Sequence, residues 1–545
     1  MATTLLTGEY RAPSDCWDEL LAEDGEPRAH VAELVRTLER LGPAALAEAG
    51  RRRDTIFMQQ GITFAVPGSD GARRDRPFPL DLIPRVLTAA EWSRIEAGLA
   101  QRIRALNAFV DDVYHDRSIV HAGIVPWTRI VSRPAFERAV QGIRPPGGVY
   151  THVCGCDLVR DSDGRWRVLE DNVRTPSGIS YVLENRLAMT RLMPELFAGQ
   201  RVQPVDRYPT LLLDALRAVA PGVDSQPTVV LWTPGPANGA YFEHAFLARE
   251  MGIELVEARD LVVHDATCYM RTTAGLQRVH TIYRRLDDAF IDPLEFRPDS
   301  LLGVPGLVRA YRAGTVAIAN AIGTGVADDK AIYPYVPAMI RFYLGEEPIL
   351  EGVPTYDLED EQNLKLVLSR LRELVVKPTY ESGGKGVFIG PTADAAAVEA
   401  ETRLVRAHPE RFIAQELVHL STVPTSTEDG RLAPRHVDLR PFAVFGGESV
   451  RIVPGGLTRV ALTAGSMIVN SSQGGGSKDT WVLDTPIDEG AQALGRTLLE
   501  HEPPSLPDIR YGAWHEQAQQ QQQTRQSARQ RARRQGQMRQ APGSR

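Results

Sequence analysis

Between Gly155 and Asn172 the chain reads GCDLVRDSDGRWRVLEDN, and the DSDG at its centre leaves it few ways to fold. Asp-Gly between two strand-like segments is a hairpin signal. With Asp163 and Gly164 as the central pair of a two-residue loop, Asp157 lies directly opposite Glu170. Asn172, two residues on, shares their face, and Asp171 points the other way. Like charges facing each other across a ladder are destabilising unless something sits between them. Three hard oxygen donors on one face suit a cation such as Mg²⁺ rather than zinc. An acidic hairpin with solvated side chains is the alternative.

A second constraint comes from VVKPTYESGGKGVFIG, Val375 to Gly390. A strand ends in Lys377, and Gly383, Gly384 and Gly386 follow before the chain returns as a strand. Glycines let backbone N–H groups approach phosphate oxygens, and the lysine adds a point charge. The loop is not a Walker A sequence, and neither is GGGSKDT at Gly474 to Thr480, where Lys478 follows Ser. No helix opens directly after the glycines, so the dinucleotide-binding pattern fails too. A glycine-rich hairpin without a ligand is the competing reading.

The 545 residues predict three or four domains of ordinary globular composition, with 43% hydrophobic and 24% charged residues. No run of about 18 apolar residues predicts a membrane span. No basic segment followed by an apolar core marks a secretion signal. With four cysteines, two of them in C-G-C, the reading is a reducing, cytoplasmic setting. Net charge is −7, yet the stretch from Glu516 to Arg545 holds seven arginines and one acidic residue. The rest is therefore about −13, which argues against nucleic acid as the main partner. The Gln/Arg-rich tail, expected to be disordered, could touch RNA or acidic lipid.

Residues 1–145 read mostly helical, including the long stretch from PLDLIPRVL to VDDVYHD with its three-four apolar spacing. Residues 146–200 hold the hairpin and a following helix. TVVLWTPG, YFEHAFLAREMG and IELVEARDLVV then read as strand, Gly-capped helix and strand, a parallel unit within 201–325. Strands and helices alternate around Gly-rich turns through 326–485. Residues 486–515 are an extension and 516–545 the tail. Tyr241, Glu243 and His244 in the βα unit read as packing or capping residues.

Together these pieces resemble the circularly permuted ATP-grasp type 2 family, which is similar to the synthetase domain of glutathionylspermidine synthetase. QQGITFAV, PFPLDLIPR, VLEDNVRTPSG, IYRRLDD, GTGVADDK, RHVDLRPF, PGGLTRVAL and NSSQGGGSKDTW look like its signature blocks. In unpermuted ATP-grasp enzymes the D…E-x-N metal hairpin follows the nucleotide part, whereas here it precedes it. Permutation is cheap when termini lie close at a surface. The resemblance implies an α/β ATP-grasp fold, with a Rossmann-like pre-ATP-grasp unit and a helical N-terminal region.

It also implies roles. Lys330 and Lys377 are expected on the phosphates of ATP, with Ser382, Gly383, Gly384 and Gly386 as a lid. Gln415, Glu416 and Val418 are expected along adenine and ribose. Asp157, Glu170 and Asn172 are the expected Mg²⁺ ligands. Arg440, Arg459 and Lys478 are the expected catalytic cations, and Arg174, Ser177, Asn470, Gly474 and Gly475 are expected beside the substrate. Many ATP-grasp enzymes carry Arg two residues before the hairpin Asp, where this chain has Gly155. The transition-state arginine must then be Arg440 or Arg459. The implied reaction joins a small-molecule or peptide carboxylate to an amine through an acyl phosphate. A phosphotransferase and a non-catalytic ATP-binding scaffold are the alternatives.

Overall fold

The computed structural model describes residues 10–67, 73–222, 226–379, 386–427, 431–447, 449–467, 469 and 475–484. Ser382, Gly383, Gly384, Asn470, Gly474 and the segments beyond residue 484, with their expected roles, lie outside these. Helix α1 (Ala32–Gln60) precedes strand β1 (Leu80–Leu87) and helix α2 (Ala89–Tyr114). Residues 80–87, read as the front of a long helix, are thus a strand. Its residues are buried almost throughout, because it pairs in parallel with a later strand and packs against α1. Burial on both faces gives a nearly continuous apolar run, whose periodicity does not separate strand from helix. The helix starts at Thr88, where the hydroxyl accepts from Glu91 N and the Glu91 carboxylate accepts from Thr88 N.

The hairpin follows as β2 (Val153–Arg160) and β3 (Trp166–Asn172), then helix α3 (Ile179–Leu192). Strand β4 (Val229–Trp232), helix α4 (Tyr241–Met251) and β5 (Glu254–Val256) form the expected parallel unit, with Gly252 at φ 65° ending the helix. Strands β6 (Thr281–Arg284) and β7 (Ala317–Ala319) complete a parallel sheet in the order β7-β6-β4-β5.

Next come β8 (Thr355–Asp357), helix α5 (Glu361–Ser369), β9 (Leu374–Pro378), β10 (Phe388–Ile389), helix α6 (Ala395–Ala407) and β11 (Phe412–Glu416). These strands form an antiparallel sheet in the order β8-β11-β9-β10. Leu374, Val376 and Ala414 pack with Val367 and Val405 of the two helices. By alternation Val375, Lys377, Ile413 and Gln415 face the other way.

Strands β12 (Leu432–Arg440), β13 (Phe442–Gly446), β14 (Leu457–Val460) and β15 (Gly476–Val482) build the large sheet around the hairpin, in the order β3-β2-β12-β14-β15-β1. The hairpin is therefore a central element of the sheet, which is why β2 is buried along its whole length.

Candidate functional site

The hairpin reaches its expected pairing by an unexpected route. Its loop is not Asp163-Gly164 alone: Asp161 pairs with Arg165, the Asp161 carboxylate accepts from the N–H groups of Asp163 and Arg165, and Gly164 stands at φ 76°. Leu158 then faces Val168, one residue out of the expected register. A bulge at Leu169 restores it, so Asp157 faces Glu170 and Gly155 faces Asn172. Bulges often re-aim side chains beside functional sites.

Asp157 is 2% exposed, which rules out the solvated acidic hairpin. Arg440 reaches its two oxygens from Nε at 2.5 Å and Nη2 at 2.7 Å, and Arg459 Nη2 adds a third bond at 2.6 Å. Burial alone would raise this carboxyl, but the two guanidinium groups outweigh it and hold it well below the usual range. Arg459 is also bound through Nε to Asp438 at 2.9 Å. Asp157 is thus committed to arginines. Of the expected metal ligands, Glu170 and Asn172 have donor oxygens to spare. Glu170 lies 3.9 Å from both Lys330 Nζ and Arg440 Nη2, and Asn172 uses its Nδ2 on Gly155 O at 3.0 Å. Among the described residues no group of three or more His, Cys, Asp or Glu side chains is placed to hold a metal ion.

The missing arginine at position 155 has a steric explanation. A Cβ there would lie 3.1 Å from Pro176 Cβ and 3.3 Å from Arg440 Cδ. The absent side chain leaves room for the stem of Arg440, which brings a guanidinium to Asp157 from the neighbouring strand. Gly155→Val should push Arg440 off Asp157. If Arg440 serves turnover, the variant will mimic Arg440→Met, with roughly tenfold or greater loss of ATP-dependent ADP release. Unaltered turnover in both variants would remove Arg440 from the machinery.

Lys330 and Lys377 come together as expected. Lys330 N donates to Thr379 O at 3.1 Å, tying the segment of the first lysine to the strand end of the second. Burial pushes Lys377 down to about 8; Lys330 adds to the shift, and Glu170 and Asp157 oppose it. Ser177 joins the cluster, its carbonyl 3.5 Å from Arg440 Nη1 and its hydroxyl accepting from Arg285 Nη2 at 2.6 Å. Arg174 sits at the edge, bound to Asp328 at 2.7 Å. Gly386, at φ 68°, closes the glycine loop, and buried Gly475 stands just before β15.

Strand alternation corrects two expectations. Lys478 points away from Arg459, since it is Ser477 that pairs with Arg459 across the ladder. Its ammonium is buried and donates to Asp81, to Ile83 O at 3.1 Å and to Pro424 O at 2.8 Å, so it is a structural cation. The Glu416 side chain turns toward the helix-bearing face, where it accepts from Arg370 at 2.8 Å and 3.0 Å and from Tyr356 at 2.5 Å. Gln415 is on the face of Lys377. It lines a cavity of about 160 Å³ with Arg102, Leu169, Tyr333, Pro354 and Thr355. Its Nε2 donates to Thr355 Oγ1 at 2.9 Å, while its buried Oε1 has no partner among the described residues. Val418 is half-buried and packs with Val159, Val353 and Leu420.

Sequence reasoning missed Asp438 and Arg285. Asp438 could have been found two residues before Arg440 on the same strand face. Arg285 could not, because only the fold brings β6 to the Ser177 loop. Glu243, read as a capping residue, does cap α3: it accepts from Gly178 N at 2.7 Å and Ser180 N at 3.1 Å, and pairs with Arg285 at 3.0 Å.

The order of hairpin and nucleotide sheet, with this cluster of cations and carboxylates, defines a permuted ATP-grasp architecture. The chain belongs to the circularly permuted ATP-grasp type 2 family, whose sequence model matches residues 84–461. It is 53% identical to the uncharacterized protein Rv2411c of Mycobacterium tuberculosis, over 84% of this chain and 83% of that one. The Frankia alni protein named "Putative glutamate--cysteine ligase 2-3" is 46% identical over 86% of this chain, a match that spans 54% of the Frankia protein. The structure of a glutathione synthetase-like effector from Globodera pallida superposes with a TM-score of 0.55, covering 81% of this chain and 98% of that one at 11% identity, a likeness of fold. Among the described residues no helix is long and apolar enough to cross a membrane.

Proposed function

We propose that the protein is an ATP-dependent ligase that activates a carboxylate and joins it to an amine. The observation that carries this reading is the convergence of Lys330, Lys377 and Arg440 around Glu170, on the sheet face that also bears Gln415. A scaffold that only held ATP would not need a carboxylate with free oxygens among three cations. In the proposed reaction a carboxylate oxygen takes the terminal phosphoryl group of ATP, releasing ADP. The amine nitrogen then bonds to the acyl carbon, the bond to the phosphate oxygen breaks, and phosphate and a proton leave.

Lys330 and Lys377 would bind and orient the phosphates, and the unpartnered Gln415 Oε1 would accept from the exocyclic amine of adenine. Arg440 would face the charge that moves, held in place by Asp157. Mg²⁺ fits Glu170 and Asn172, whose oxygens are hard donors, and would supply neutralisation of phosphate charge. The name of the Frankia relative supports a carboxylate–amine ligase.

The test is ADP release on mixing the protein with ATP, Mg²⁺ and panels of carboxylic acids and amines. Release that needs both an acid and an amine, with an amide product, is the expected result. A stable phosphorylated product would replace the ligase with a phosphotransferase, and absence of ATP binding would overturn both.

A proton count gives an independent check. Near pH 8 Lys377 is about half protonated, and bound phosphates favour its charged form. ATP binding should therefore take up to about half a proton at that pH, read by calorimetry in two buffers of different ionisation enthalpy. Uptake should vanish in Lys377→Met. Unchanged uptake in that variant would place the titrating group elsewhere.

A further inference from the structure

The outer end of the hairpin carries a feature that the ligase reading does not use. Guanidinium groups and indole rings alternate there in one stack. Arg28 lies 3.8 Å from the Trp17 ring centre, Arg160 lies 5.1 Å from Trp17 and 5.5 Å from Trp166, and Arg85 lies 4.9 Å from Trp166. The inner rungs are electrically satisfied. Arg85 is paired with Glu19 at 2.6 Å, and Arg160 is bound to Glu91 at 2.6 Å and to Gly164 O at 2.9 Å. Glu91 is spent in turn, its second oxygen accepting from Thr88 N and Oγ1.

The outermost rung differs. Arg28 is half-buried and donates from Nε to Asp18 O at 2.9 Å, yet it makes no ion pair among the described residues. Burial, with the charges of Arg160 and Arg28, pushes neighbouring His30 down, so it adds no competing cation near neutral pH. The buried indole N–H of Trp17 has no acceptor among the described residues. Trp17, Arg28, His30, Glu91 and Arg160 line one open cavity of about 420 Å³. Its only carboxylate is fully used, so the cavity has donors and one uncompensated positive charge. A half-buried cation and an unmet buried donor are both costly, and an oxyanion satisfies both.

We propose that this cavity is a binding site for a small anion, held through its carboxylate or phosphate group by Arg28 and the Trp17 indole N–H. It is separate from the proposed nucleotide site, because Arg160 is three residues, about 10 Å of strand, from Asp157. Its occupant would brace the outer end of the hairpin through Arg160.

The test uses the full chain labelled with ¹⁵N at tryptophan. The Trp17 indole resonance is identified by its loss in Trp17→Phe, a change that keeps the ring and removes the donor. Inorganic phosphate and succinate are titrated separately, which tells a phosphate site from a carboxylate site. One of them should shift the Trp17 resonance saturably, with at least roughly tenfold weaker binding in Arg28→Gln. The shift should be unaltered in Lys377→Met, which lies in the nucleotide cleft. Failure of both anions to move the Trp17 resonance at about 10 mM, a shift unchanged in Arg28→Gln, or a shift lost in Lys377→Met would each overturn the proposal.

Discussion

Arg459→Met is expected to destabilise the protein by about 3–5 kcal/mol near pH 7, the cost of stranding a buried charge by removing its partner. Asp438, 1% exposed, receives its bonds from Arg459 alone among the described residues, whereas Asp157 keeps Arg440. Methionine fills much of the volume, so the loss reports the charge rather than a void. The pH dependence separates this from a packing defect. In the variant Asp438 is buried without a cation, so its folded pKa rises above the unfolded value. A group of that kind stabilises fully below its unfolded pKa and loses that contribution as pH rises through its folded pKa. The gap between variant and wild type should therefore narrow from about pH 7 to about pH 5, read from urea unfolding midpoints. A gap under about 1 kcal/mol, or one independent of pH, would refute the account of the Asp157–Arg459–Asp438 network.

Glu170→Gln should behave in the opposite way, with a large loss of turnover and little loss of stability. The side chain is partly exposed and touches Lys330 and Arg440 only at 3.9 Å, too far for a strong bond. An amide keeps its shape while removing a negative charge from a ring of three cations. ADP release is expected to fall by about 10²–10³-fold, with the unfolding midpoint within about 0.5 kcal/mol of wild type. The same change removes a charge that raises Lys377, so proton uptake on ATP binding should move to lower pH. Full ADP release from Glu170→Gln would eliminate Glu170 from the site and with it the proposed place for Mg²⁺.

Much of the candidate site was legible because short-range rules set it. The DSDG turn and the D…E-x-N spacing place Asp157, Glu170 and Asn172 on one face, and a strand ending in Lys377 before a glycine loop marks a phosphate-type segment. Even there the legible answer was reached differently, since a longer loop and the Leu169 bulge offset one another. The βαβ unit from Val229 to Val256 was equally plain, because apolar strands and a Gly-capped helix carry their own punctuation. Strand β1 was misread because burial on both faces erases the alternation that distinguishes a strand. Lys478 and Glu416 were misassigned because a motif names residues without saying which face each occupies. A period of two sends neighbours to opposite sides, and only pairing partners reveal which side is which.

What the sequence determined by itself is therefore the set of local elements, the permuted order of hairpin and nucleotide segment, and the residue types available for phosphate and metal chemistry. The tertiary structure alone decided which charges meet. Arg440 and Arg459 reach Asp157 from strands nearly 300 residues further along the chain, through contacts at 2.5 Å to 2.7 Å. It also decided that Gly155 makes room for Arg440 and that Asp157 is an anchor for arginines. The physical reason is that backbone turns and caps depend on neighbours in sequence, whereas a buried charge is settled by whichever partners the sheet order brings within hydrogen-bond reach.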